Sequence, residues 1–154
     1  MERTKFNVDK NLAQRTYEDI IFDSKLEMNY YRDVLLPMLE SGELSKIELQ
    51  KKYVLQDGFK RNDQTVRPIT YIADFYLEYS DGSERVVDIK GMADSTAKIK
   101  RKLFWAKYPD IDYVWITYCK KYGGWGSYDH FKNLRRDEKR KRTKELKENE
   151  DGKD

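Results

Sequence analysis

Two β-rich runs, Ile69 to Tyr79 and Glu84 to Lys90, stand on either side of Ser80-Asp81-Gly82, and this hairpin signal constrains the fold more than any other feature of the chain. Three-residue hairpin loops commonly place a glycine last, in the left-handed conformation. With that loop, Tyr79 pairs with Ser83, and counting back in register sets Asp74 directly opposite Asp88. Lys90, two residues beyond Asp88, then falls on the same face as both acids. A two-residue loop would instead put the two acids on opposite faces, so the inference depends on the turn.

Like charges opposed across a sheet repel by roughly 0.2–1 kcal/mol where exposed, and by more where partly buried. Something positive must sit between them. A hard divalent cation, which prefers carboxylate oxygens and water, meets that requirement. Lys90 alone also meets it, and geometry leaves both readings open.

The other elements follow from period and punctuation. Residues 1–20 carry no clear period. From Ser24 to about Leu39, Leu26, Tyr30 and Val34 recur at helical spacing behind Phe22, and the helix ends near Ser41-Gly42. Ile47 to Leu55 reads as a strand and Gln56 to Pro68 as a loop. Asp94 or Ser95 caps a second helix that carries Ile99, Leu103 and Ala106 on one side and stops at Tyr108-Pro109. A last strand, Asp112 to Cys119, enters a turn over Tyr122 to Gly126. From Lys132 onward almost every residue is charged, as expected of a solvated helix or a disordered tail. The expected organisation is an arm over residues 1–17, one domain over 18–131 and a charged tail over 132–154.

Composition bounds the function. A chain of 154 residues encloses one core, and with 38% apolar and 38% charged residues that core is lean. The net charge of +3 does not announce a nucleic-acid binder, so the distribution of charge must make that case. Cys119 is the sole cysteine, which excludes an intrachain disulfide and a cysteine-rich zinc site and leaves the thiol a strand-packing role. No run approaches the roughly 20 apolar residues of a membrane span, and Met1 to Lys10 lacks a hydrophobic signal core. A soluble, cytoplasmic protein with no membrane partner is expected.

Ile72-Ala73-Asp74-Phe75 followed by Val87-Asp88-Ile89-Lys90 resembles the signature of the PD-(D/E)XK nuclease superfamily, an acid on one strand before an acid-x-lysine on the next. The order of elements resembles that superfamily's αβββαβ core, which implies an α/β fold, restriction-endonuclease-like, with a mixed central sheet. Phe22-Asp23-Ser24-Lys25-Leu26-Glu27, Ala73-Asp74-Phe75 and Asp88-Ile89-Lys90-Gly91 are similar to small phage-encoded proteins near the Holliday-junction resolvases and recombination nucleases. The resemblance spans roughly residues 18–120 and departs from the pattern at Ala73, where the superfamily carries a proline that bears no chemistry.

The resemblance implies a Mg²⁺- or Mn²⁺-dependent endonuclease acting on DNA, plausibly branched or recombining DNA, in a phage or its bacterial host. Asp74, Asp88 and the Ile89 carbonyl would bind the metal, and Lys90 would orient or deprotonate the attacking water. Glu27 matches an acid that many members add to the metal site. Ser24-Lys25-Leu26-Glu27 is equally a capping box, which needs Glu27 for the helix start. Gln50 matches a polar first-strand position, with a plain surface residue as the alternative.

Lys98, Lys100, Arg101 and Lys102 give the second helix a basic flank suited to phosphates, or simply a solvated face. Lys120 and Lys121, beside Tyr122 and Trp125, suit a nucleic-acid backbone, or a loop with a docked tryptophan. His130 reads as a surface or packing residue. Self-association as a homodimer is left open. The competing readings are a catalytically silent nucleic-acid-binding or scaffold protein, and an interaction protein recruiting partners through its charged tail.

Overall fold

The chain is described from a computed structural model that covers residues 11–151, so the expectations for residues 1–10 and 152–154 fall outside the described residues. The architecture is mixed α/β, with a five-stranded mixed sheet whose strands follow one another in the order Leu44–Gln56, Ile69–Tyr79, Glu84–Ile89, Asp112–Cys119 and Gly124–Ser127. Contacts group the chain into two compact units, one up to Val114 and one from Trp115 on. Among the described residues no helix is long and apolar enough to cross a membrane.

In the first unit, residues expected to lack structure form a 3-10 turn (Leu12–Arg15) and a short hairpin, β1 (Thr16–Tyr17) with β2 (Ile20–Ile21). Its two-residue turn is Glu18-Asp19, with φ of 47° and 63°. Two positive φ values are the mark of the hairpin turn that matches strand twist. Neither residue is Gly or Asn, so the sequence does not announce it.

Helix α1 (Lys25–Tyr30) runs through a π turn (Tyr31–Leu35) into α2 (Leu36–Glu40). The Leu36 N–H bonds back five residues to the Tyr31 carbonyl. One extra residue in the turn rotates the later side chains, so Leu35 is fully buried and Val34, expected inward, is only half-buried.

Strand β3 (Leu44–Gln56) is longer than expected at both ends. The segment expected to be loop holds a further hairpin, β4 (Phe59–Arg61) with β5 (Gln64–Val66), turning at Asn62-Asp63, again with positive φ at both residues. Strands β6 (Ile69–Tyr79) and β7 (Glu84–Ile89) form the hairpin that the turn chemistry requires. Tyr79 N–H donates to the Ser83 carbonyl at 2.9 Å, Gly82 N–H to the Tyr79 carbonyl at 2.9 Å, and Gly82 stands at φ 85°.

Helix α3 (Ser95–Lys107) is capped by Asp94, whose side chain accepts from Ala97 N–H at 2.8 Å. Its inward residue is Phe104, not Ile99, which is 59% exposed, nor Ala106, also exposed; Leu103 is half-buried. The larger ring wins the core because it has more surface to remove from water. Phe104 packs at ring-centroid distances of 4.6–5.8 Å against Tyr53, Tyr71, Tyr108 and Tyr113.

β8 (Asp112–Cys119) matches its expected span. In the second unit, the expected turn after Cys119 is partly strand: a 3-10 turn (Lys120–Tyr122) leads into β9 (Gly124–Ser127), antiparallel to Ile116–Cys119. Gly126 is required there, since a Cβ would lie 2.5 Å from the Phe131 ring. Phe131 is buried against Tyr122, on α4 (Tyr128–Asp151), so the charged segment is helical and its first turn is anchored. His130 on that turn is exposed.

Two outcomes follow. Gly82→Ala places a Cβ in a left-handed residue with nothing else within 4 Å, so urea denaturation should show a loss of about 1 kcal/mol; an unchanged midpoint would contradict the loop. Deleting residues 133–154 should leave the midpoint unchanged. Deleting from Tyr128 removes Phe131 as well and should cost about 3 kcal/mol or more.

Candidate active site

The hairpin register sets the site. Phe75 pairs with Val87, and the next position along the two strands places Asp74 opposite Asp88. The Asp74 Oδ2 accepts from Ile89 N–H at 2.7 Å, which ties the first acid to the strand that carries the second. Asp88 is 3% exposed, and Lys90 Nζ forms an ion pair with its Oδ2. Lys90 itself retains access to water, its side chain being 21% exposed.

Glu27 comes to this pair from the start of α1. Ser24 is the helix cap: its Oγ accepts from Glu27 N–H at 3.1 Å and donates to Glu27 Oε1 at 3.0 Å. The capping-box expectation is met through the Ser24 hydroxyl, while the amide that reaches the Glu27 carboxylate is that of Asp23. Glu27 is buried, 7% exposed, and its Oε2 has no hydrogen-bond partner.

Electrostatics binds the three acids into one group. Burial is the largest influence on Glu27, and the charges of Asp23 and Asp88 add to it, so its carboxyl is pushed up to about 7. Asp74 is raised further, first by burial, then by the charges of Asp88 and Glu27. Tyr71 belongs to the same neighbourhood: burial raises its phenol and the charge of Asp88 raises it again. Asp23 and Tyr71 were not legible as participants, because one is the residue before a cap and the other an ordinary strand aromatic.

Gln50 occupies a strained position. Leu49 pairs with Phe75 and Lys51 with Ala73, so in register Gln50 stands opposite Asp74, and the sheet lines up Gln50, Asp74 and Asp88 across β3, β6 and β7. Its φ is 55°, which costs a non-glycine residue about 1–2 kcal/mol. Strain of this kind clusters at functional sites.

The remaining candidates lie on α3 and in the second unit. Lys98 and Lys102 are exposed on α3, Lys100 is half-buried there, and Arg101 lies 4.8 Å over the Trp105 ring. Lys120 and Lys121 belong to the second unit, where Lys121 pairs with Glu138. Among the described residues no three His, Cys, Asp or Glu side chains are already drawn to metal-ligand spacing. The donors nevertheless suit a hard cation: carboxylates from three elements, with one buried oxygen lacking a partner.

The raised carboxyls make stability depend on pH. Glu27 binds its proton more tightly folded, at about 7, than at its ordinary 4.5. Its contribution is therefore full below pH 4.5 and is lost as pH rises to about 7, on the order of 3 kcal/mol at most. Metal-free protein should show a falling urea midpoint over that range, and Glu27→Gln should make the fall shallower, leaving the part that the raised Asp74 carboxyl contributes. Mg²⁺ should raise the midpoint more at pH 8 than at pH 5, because it competes with protons for the same oxygens; equal effects at both pH values would contradict a shared site.

Comparison with curated proteins and with solved structures gives no match. A family model does match, over residues 3–124, a span that holds Glu27, Gln50, Asp74, Asp88 and Lys90 and stops short of α4. Its description is "Protein of unknown function (DUF1064)", and the chain belongs to that family.

Proposed function

We propose that this protein is a metal-dependent nuclease of the PD-(D/E)XK kind that hydrolyses phosphodiester bonds in DNA, with branched or recombining DNA as the substrate class. The observation that carries the reading is the convergence of buried Asp88 and Glu27 and half-buried Asp74 as one electrostatic group with Lys90 as its adjoining cation. The succession α1/α2, β3, β6, β7, α3, β8 supports it, since this is the αβββαβ order of that superfamily.

In this reading Asp74, Asp88 and Glu27 hold a Mg²⁺ or Mn²⁺ ion, with the Ile89 carbonyl as a further oxygen. Such an ion supplies Lewis-acid polarisation of a phosphoryl oxygen and a more acidic bound water. The chain's own contribution is positioning. The Ile89 N–H fixes the Asp74 carboxylate, and the Ser24 hydroxyl fixes one oxygen of Glu27 and leaves the other free. Lys90, released from Asp88, orients the attacking water and holds positive charge against the phosphorane. Gln50, held beside Asp74 by its strained backbone, contacts the substrate.

The catalytically silent reading draws on the Asp88–Lys90 ion pair, which already neutralises one acid. Incubation with linear, circular, flap and four-way-junction DNA in Mg²⁺, Mn²⁺ or EDTA separates the two. Metal-dependent cutting of at least one substrate is expected. Asp88→Asn should abolish it with fold and DNA affinity kept, and Lys90→Ala should lower turnover at least about a hundredfold while metal affinity holds. Absence of cutting in every lane would sink the catalytic reading.

A further inference from the structure

Beyond Phe131, helix α4 sorts its charges by side. At 3.6 residues per turn, Lys132, Arg136, Lys139, Arg140, Lys144 and Lys147 fall on one stripe. Five of these six and Thr143 line one surface recess along the helix. Between Lys132 and Lys147 the acids Asp137, Glu138 and Glu145 fall outside the stripe, Asp137 at its edge. From Lys132 to Lys147 it runs roughly 22 Å along the axis.

The two sides obey opposite rules. Off the stripe, residues four apart carry opposite signs: Asp137 with Lys141, Glu138 with Arg142, Lys141 with Glu145. On it, Lys132, Arg136, Arg140 and Lys144 succeed one another at four-residue intervals, all positive. Each such like-charge pair costs an isolated helix about 0.2–0.5 kcal/mol. A merely solvated helix gains nothing from that arrangement, whereas a polyanion laid along the stripe turns the repulsion into attraction. Lys139, Arg140 and Lys147 make no ion pair among the described residues, while Arg136 meets Asp137 and Lys144 meets Glu148 only at 3.7 Å, with all four side chains more than half exposed.

We infer that this stripe of α4 is a binding surface for the phosphate backbone of duplex DNA. The inference rests on DNA being the substrate, and assigns this helix the sequence-independent part of the affinity. An acidic protein fits less well, because the stripe carries no aromatic or aliphatic anchor to fill a partner's pocket. Duplex DNA offers about one negative charge per 1.7 Å of axis, a continuous match to exposed cations at helical spacing.

The test uses the full chain, fluorescein-labelled duplex DNA and EDTA, with anisotropy read over a salt series. The stripe pair Arg136→Gln/Arg140→Gln is compared with Lys141→Gln/Arg142→Gln, which removes the same charge from the other side of the same helix; circular dichroism checks helicity. The stripe pair should weaken binding about tenfold and flatten the log–log salt slope by roughly 2, since each phosphate no longer neutralised lowers it by about 0.9. The control pair should change affinity less than about threefold. Equal losses in both pairs, no loss in either, or wild-type chain that does not bind the duplex would each overturn the inference. So would competition by poly-L-glutamate as strong as by unlabelled duplex, which assigns the stripe to an acidic protein. Cutting with both pairs binding alike removes the helix and keeps the nuclease site. Stripe-dependent binding without metal-dependent cutting removes the site and keeps the helix.

Discussion

Two buried carboxylates, Glu27 and Asp88, and a half-buried third, Asp74, with one adjoining lysine are the constraint around which the first unit is organised. Each acid would be most stable in water, and each is held out of it: Asp88 by a strand buried along most of its length, Asp74 by the Ile89 N–H, Glu27 by the cap of its own helix. Removing an ionised carboxylate from water costs more than one hydrogen bond returns. In the folded chain that cost raises the proton affinity of Glu27 and Asp74, and Asp88 pairs with Lys90. A divalent ion would meet it better, replacing shared protons with a shared cation.

What was legible in the sequence follows from how locally each feature is determined. The loop at Ser80-Asp81-Gly82 is closed by hydrogen bonds within the turn, and a strand's two-residue period carries its register outward to Asp74 and Asp88 without tertiary information. The cap at Ser24 is equally local. The illegible features depend on packing between distant segments. The π turn that exchanges Val34 for Leu35 leaves no residue signature beyond Pro37, and Phe104 displaces Ile99 because Tyr53, Tyr71 and Tyr113 from other elements, with Tyr108 at the end of its own helix, surround it. Gly124–Ser127 reads as turn because glycine dominates it, yet Gly126 is there to admit the Phe131 ring into a strand pair.

The site divides along the same line. Asp74, Asp88 and Lys90 were legible through spacing, whereas the burial of Glu27 beside them depends on where α1 lies, and Gln50 owes its interest to a backbone angle that no propensity foretells. The charged C-terminal segment gives the reverse lesson. As a linear string its signs look mixed, and only the helical period separates a continuous basic stripe from a side of compensating pairs. That helix lies outside the span of the family match, which ends at residue 124.

We propose that the carboxylate group exchanges protons for a divalent cation. Isothermal titration of Mn²⁺ into the full chain at pH 6.5, in buffers of different ionisation enthalpy, measures that exchange without reference to cutting. The account predicts saturable binding with net release of about one proton or more per ion, lost in Asp88→Asn and reduced in Glu27→Gln. Binding that releases no protons, or heats unchanged by Asp88→Asn, would contradict it.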